Sequence, residues 1–264
     1  MLYENETVFL NRDDYTTCTI NLHGATVTSW RFEDEEQLYV GRRACLSGLN
    51  HLRGGISFVF PKFDEWFFGP PHGFARNMPW KLDEGPVVMD SRDVYAQFSV
   101  SNDDFTESMW NFKFKITYKI ILLEKRLSLE ISIDNVSEYF PFEFCFLHHS
   151  LFKVPDVTKC EVTGFKDHFY KDELKKTNEY FLEDRDIVTI SKWTDDIYID
   201  VVEKVVVAHV MNDLKLEIGP GISENVNLWN PYDKCPQVFS PRFTNNSRLK
   251  LPMGTLPLEF HSLE

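Results

Sequence analysis

The chain has 264 residues, 43% of them hydrophobic and 26% charged, and its 28 Lys and Arg against 41 Asp and Glu give a formal net charge of −13. That length suits a single domain, 1–264, with a sizeable core, and the acidic balance disfavours nucleic acid or an anionic membrane as a partner. No run approaches the roughly 18 apolar residues of a membrane-spanning helix, and the start MLYENETVFL lacks the basic flank and apolar core of a signal peptide, so a cytoplasmic location is expected.

In chain order, short segments of alternating or β-branched character come first, at 6–10, 16–22, 25–30, 38–40 and 94–100, separated by turn signals such as Asn11-Arg12-Asp13-Asp14 and His23-Gly24. Longer strands follow at 111–123, 126–136 and 141–151, with Glu124-Lys125 reading as a tight hairpin turn. Phe112, Phe114, Ile116, Tyr118 and Ile120 alternate with Lys113, Lys115, Thr117 and Lys119, a period of two that buries one face and wets the other. Helical periodicity is scarce, and 172–181 is the best candidate for a helical turn. Strands resume at 187–190, 197–202, 204–210, 214–218 and 225–229. With no repeat, low-complexity tract or linker to divide it, the chain reads as all-β, a large antiparallel sandwich. Cys18, Cys45, Cys145, Cys160 and Cys235 are odd in number and form no CxxC pair, which favours reduced thiols over a disulfide framework or a structural zinc site.

Functional chemistry concentrates in four places. The stretch 51–80 holds Arg53 and Arg76 beside Gly and Pro punctuation, together with His72. Two fixed guanidiniums form a fork-shaped anion site, because each offers parallel N–H donors that match phosphate or carboxylate oxygens. Phe58, Phe60, Phe63, Trp66, Phe67, Phe68, Phe74 and Trp80 in the same stretch read as the wall of a site. Next, His148 and His149 follow an aromatic strand. Adjacent imidazoles there point to opposite faces, one toward a concave interior and one packing outward, a divergence that speaks against shared metal ligation. Third, Asp195 and Asp196 stand just before a strand starting at Ile197, to cap a turn or to accept hydrogen bonds from ligand hydroxyls. Last, Trp229 and Tyr232 flank Asn230-Pro231, an apolar platform with an amide that suits a sugar ring or plain core packing. A Walker loop, GxGxxG, HExxH and GxSxG are all absent.

With LHGATVTSW, RGGISFVFPKF, HGFARNMPW, LHHSLFKVPD, the glycine and tyrosine of GFKDHFY, TDDIY, LWNPY and a terminal strand after Met253-Gly254 in order, the chain resembles the hexose-6-phosphate 1-epimerases (glucose-6-phosphate mutarotases) of the galactose-mutarotase-like superfamily. The resemblance implies a β-supersandwich that acts on a hexose 6-phosphate, as a monomer, without cofactor or metal. It makes Arg53 and Arg76 the phosphate clamp, His149 (the HxxF histidine, with Phe152) the general acid at the ring oxygen, His72 a partner near that oxygen, and Asp195 the holder of ring hydroxyls. It also exposes two departures. Ser240 stands where the family carries its catalytic glutamate, and Pro71 where it usually has a glutamine. A serine is far too weak a base at neutral pH, and loss of a positioned base costs on the order of 10²–10⁴ in rate. Either the base comes from elsewhere (Asp195, Asp233, a water held by Ser240, or an inward-turned Glu143 or Glu259), or the chain is a sugar-phosphate-binding pseudoenzyme.

Overall fold

A computed structural model of the chain describes residues 7–41, 52–137, 140–210, 215–219, 225–230, 238–249 and 256–263, the last two segments through their backbone. Two antiparallel sheets stack on each other. The first has twelve strands, whose main path runs Thr7–Asn11, Thr17–Asn21, Thr26–Phe32, Ile56–Val59, Phe142–Ser150, Val238–Leu249, Asn225–Asn230, Thr194–Ile199, Phe169–Asp172 and Phe181–Leu182. The second has nine, in the order Val188–Thr189, Glu161–Thr163, Val205–Ala208, Lys215–Gly219, Leu256–Leu263, Arg126–Asn135, Phe114–Leu122, Val94–Ser101 and Lys81–Val88. This is the sandwich that the alternating segments predict.

The period of two explains why. Along Phe114–Leu122, Phe114, Ile116, Tyr118, Ile120 and Leu122 are buried, while the residues between them are exposed or half-buried. The hairpin to Arg126–Asn135 closes over Glu124-Lys125, with the Leu123 amide donating to the Arg126 carbonyl at 2.8 Å. The core between the sheets is dense in aromatic rings: Phe58 lies 6.3 Å from Phe60, 6.1 Å from Trp80 and 6.4 Å from Tyr118. Truncating such a ring to alanine costs about 3–5 kcal/mol.

Three local departures from the sequence reading have physical causes. A short helix, Asp104–Met109, forms because Asp103 accepts from the Thr106 amide at 2.8 Å and Thr106 Oγ1 accepts from the Asp103 amide at 2.9 Å. That capping box starts a helix that no periodicity announces. Conversely, 172–181 yields only the 3₁₀ turn Glu173–Lys175, held by Asp172 accepting from the Leu174 amide at 3.0 Å, and then another strand. The segment 38–40 makes isolated bridges, Leu38 to Phe152 and Val40 to Gly54, rather than a strand.

Cys18, Cys145 and Cys160 are free thiols, whereas Cys45, Cys235, Met253 and Gly254 lie outside the described residues. Among the described residues no helix is long and apolar enough to cross a membrane.

Candidate active site

The site is built on the face of the twelve-stranded sheet turned away from the core. Along Phe142–Ser150, Phe144, Phe146 and His148 enter the core, and Cys145, Leu147 and His149 take the other face. The His148 ring lies 5.7 Å from both Phe58 and Tyr118 and 6.2 Å from Phe146, and burial pushes its imidazole down to about 3. It stays neutral through the physiological range and exchanges no protons there. The expectation that one histidine packs outward is therefore corrected, since His148 packs inward between the sheets. His149 is half-buried on the free face, its ring 6.3 Å from Trp229 and perpendicular to it.

Cross-strand partners share a face, so register shows what surrounds His149. It stands opposite Ser57 on one side and Arg242 on the other, and Arg242 in turn stands opposite Asn227. One step along the sheet, Ser240 stands opposite Trp229 and Trp229 opposite Asp195. Ser240 is placed by its backbone alone, and Pro231, Tyr232 and Asp233 lie outside the described residues.

The acidic pair is placed differently from the sequence reading. Asp195 and Asp196 lie inside Thr194–Ile199 rather than before a strand, so they point to opposite faces. Asp195 accepts from Asn227 Nδ2 at 2.8 Å, and Asn227 is fully buried. Asp196 faces the other way, and its carboxyl is pushed up to about 7, first by burial and then by the like charge of Asp172 directly opposite. Glu259 and Glu143 are placed away from His149. Glu259 sits in the nine-stranded sheet, opposite Ser128 and Gly219. Glu143 shares His149's face but is exposed and six residues away, about 20 Å along the strand.

Arg76, His72 and Arg53 come from the turns around Ile56–Val59. Arg76 occupies the 3₁₀ turn Ala75–Asn77, is only 5% exposed, and donates from Nη2 to the Pro71 carbonyl at 2.8 Å. Proline at 71 thus removes a side-chain amide but keeps a backbone acceptor that orients the guanidinium. The turn rests on the strand end through the Phe74 and Ala75 amides, which both donate to the Phe60 carbonyl at 3.0 and 3.2 Å. Gly73 makes that approach feasible: its φ is +72°, and a Cβ there would strike the same carbonyl. His72 is held by Asp64, whose amide donates to Nδ1 at 3.0 Å while the His72 amide donates to the Asp64 carbonyl at 2.9 Å. Its ring lies 5.3 Å from Phe63.

Arg53 is exposed and enters the strand from its opposite end. Two residues on, the Gly55 carbonyl accepts from the Leu151 amide at 2.8 Å, which ties the RGG turn to the end of the His149 strand. Gly55 has φ +67°, and a Cβ would collide with the Val27 carbonyl.

The predicted aromatic wall divides. Phe58, Phe60, Phe74 and Trp80 are core residues with at most 3% exposure: Phe58 and Phe60 alternate toward the second sheet, Phe74 packs in from the turn before Ala75–Asn77 and Trp80 from the start of the strand Lys81–Val88, and Phe63 alone of the eight is seen against a site histidine. Sequence reading missed Asn227 and Asp64. The first was findable, since it lies two residues before Trp229 on a strand and must share its face. The second was not, since nothing in the spacing links 64 to 72. Among the described residues no group of three or more His, Cys, Asp or Glu side chains could hold a metal ion.

Comparison with known proteins gives the same architecture. The family model described as aldose 1-epimerase matches residues 6–263. A Cenchrus ciliaris protein named "Putative glucose-6-phosphate 1-epimerase" is 29% identical over 224 residues, covering 81% of this chain and 67% of that one. Among solved structures, the Slr1438 protein of Synechocystis sp. PCC 6803 superposes with a TM-score of 0.86 at 18% identity, over 99% of this chain and 97% of that one. The galactose mutarotase related enzyme of Lactobacillus acidophilus superposes with a TM-score of 0.81 at 16% identity, over 98% and 97%.

Proposed function

The chain belongs to the aldose 1-epimerase family, and from that membership we propose that it interconverts the α and β anomers of a hexose 6-phosphate. His149 donates a proton to the ring oxygen as the C1–O5 bond breaks, and Asp195 takes the proton of the C1 hydroxyl. The free aldehyde turns about the C1–C2 bond, and ring closure returns both protons. Arg53 and Arg76 hold the phosphate, the latter preset by the Pro71 carbonyl. His72, fixed by Asp64, hydrogen-bonds near the ring oxygen, and Trp229 offers its face to the apolar side of the sugar.

The observation that carries this reading is the placement of His149, Trp229 and Asp195 on one face, with His149 ring against ring with Trp229 and Asp195 oriented by Asn227. Three strand spacings, about 14 Å, and a two-residue offset along the strands, about 7 Å, separate the backbones of His149 and Asp195, with Trp229 on a strand between them. A pyranose laid over Trp229 would have His149 on one side and Asp195 on the other. The relatives named as glucose-6-phosphate 1-epimerases support the phosphorylated substrate.

A second reading rests on Ser240: with no carboxylate at that position, the chain holds the sugar phosphate without turning it over. Anomer exchange of glucose 6-phosphate, followed by NMR with and without protein, separates the two. Exchange well above buffer supports the enzyme, and exchange at the buffer rate alongside measurable binding selects the binding protein.

A further inference from the structure

The loop 61–72 and the helix Asp104–Met109 carry a surface that sugar chemistry does not use. Asp64 and His72 pin the loop at its neck by two hydrogen bonds, and the Gly73 amide donates to the Pro70 carbonyl at 3.0 Å. Further out, a Cβ on Gly69 would meet the Trp66 ring at 2.5 Å and Met109 Sδ at 3.0 Å, so loop and helix are packed on each other with no slack. Trp66 in turn lies 6.1 Å from Phe74, which anchors the loop to the core. From this braced base two rings project into solvent. Phe67 is 95% exposed and Phe68 67%, edge to face at 5.3 Å, and Phe105 on the helix is 56% exposed. Exposed aromatic rings grouped on adjoining elements mark contact surfaces, and a backbone already braced beneath them needs little ordering when a partner covers them.

Charge decides what the partner is. The two segments carry Asp64, Glu65, Asp104 and Glu107, with Asp103 at the helix cap, against Lys62 as their one cation. A second copy of the chain would set these carboxylates against themselves, and an anionic lipid surface would be repelled, whereas a cationic segment is drawn in. We propose that Phe67, Phe68 and Phe105 form a docking surface for a positively charged protein segment, in which Lys or Arg side chains flank aliphatic ones. The aliphatic groups cover the rings and the cations pair with the surrounding carboxylates. This proposal does not rest on the mutarotase reading: of the loop, that reading uses His72 and its tie to Asp64, and it assigns no role to Phe67, Phe68 or Phe105.

The test titrates the full chain with a synthetic peptide of Lys-Leu-Pro repeats, and with the same peptide carrying Glu for Lys, by calorimetry at low salt. The basic peptide binds in the micromolar range and the acidic one at least roughly tenfold more weakly. The double variant Phe67→Ser, Phe68→Ser loses roughly tenfold or more in affinity, and so does Glu65→Lys with Asp104→Lys, while anomer exchange of glucose 6-phosphate stays at the wild-type level in both. Circular dichroism confirms that each variant is folded. The proposal is overturned if the basic peptide does not bind, if both peptides bind alike, or if neither variant weakens binding. A dimer that dissociates on Phe67→Ser, Phe68→Ser, seen by sedimentation, or tighter binding to phosphatidylserine vesicles than to the peptide, overturns it too.

Discussion

The two faces of the twelve-stranded sheet put the same residue types to opposite uses. His148 and His149 are neighbours, yet one is locked neutral among Phe58, Tyr118 and Phe146 while the other stands against Trp229 on the free face. Asp195 and Asp196 repeat the pattern three strands away: one is oriented by Asn227, the other pushed up to about 7 by burial and by Asp172. Strand alternation, not residue identity, divides chemistry from structure here. A histidine or aspartate counts as a site residue only once its face is known.

The strongest way to break this comparison is to exchange the roles of the two histidines. His149→Gln is expected to lower the anomer-exchange rate by about 10²–10⁴, the usual contribution of a positioned acid. His148→Leu should leave that rate within about twofold. If His148→Leu proved the inactive variant, the assignment of faces to functions would be reversed.

The proposed phosphate clamp sharpens the contrast between buried and exposed groups of one type. Arg76 is buried and preset by a carbonyl, whereas Arg53 is exposed. Arg76→Ala should weaken glucose 6-phosphate binding by about 1.5–3 kcal/mol, and Arg53→Ala by less, as read by calorimetry. Unchanged affinity in both variants would remove the clamp from the account.

Acid stability tests the core histidine. The His148 pKa is depressed in the folded protein, so its unfolded form takes up a proton below pH 6.5 while the folded form does not until about 3. The corresponding stability is present above pH 6.5 and is lost as pH falls toward 3, at up to about 1.4 kcal/mol per pH unit. His148→Leu should flatten that acid limb in denaturant melts, leaving only the slope contributed by carboxylates.

The smallest effect concerns Asp196, whose folded pKa is raised. Its contribution is fully present below the ordinary carboxylate pKa of 3.8 and is lost as pH rises through about 7. Asp196→Asn should therefore be more stable than the wild type at pH 8 by ~1–2 kcal/mol, allowing for solvent screening, and the gain should shrink toward pH 4. An equal gain at both pH values would mean that the buried charge of Asp196 is not what costs stability.

Much of this was legible in the sequence where a period of two governed it. The Phe114–Leu122 strand, its hairpin and the divergence of the two histidines all follow from alternation. What alternation could not provide was which face lies against the second sheet. That is fixed by strands distant in the chain, and so Phe58 and Phe60 of the predicted wall proved to be core, joined by Phe74 from a turn and Trp80 from the start of a strand of the second sheet. The acidic pair was misplaced at a strand boundary because a strand's start depends on its neighbour: Thr194 pairs with Asn230, and no local signal announces that partner. The Asp104–Met109 helix escaped because a capping box of two side chains, rather than an apolar stripe, nucleates it.

The central claim is that Asp195, together with His149, performs the proton transfer for which Ser240 offers no carboxylate. The direct test is the glucose 6-phosphate anomer-exchange rate, measured by NMR for the wild type and for Asp195→Asn under saturating substrate. The account predicts exchange well above buffer for the wild type and a loss of about 10²–10⁴ in the variant, with His149 unaltered. Wild-type exchange no faster than buffer, or full exchange by Asp195→Asn, would contradict it.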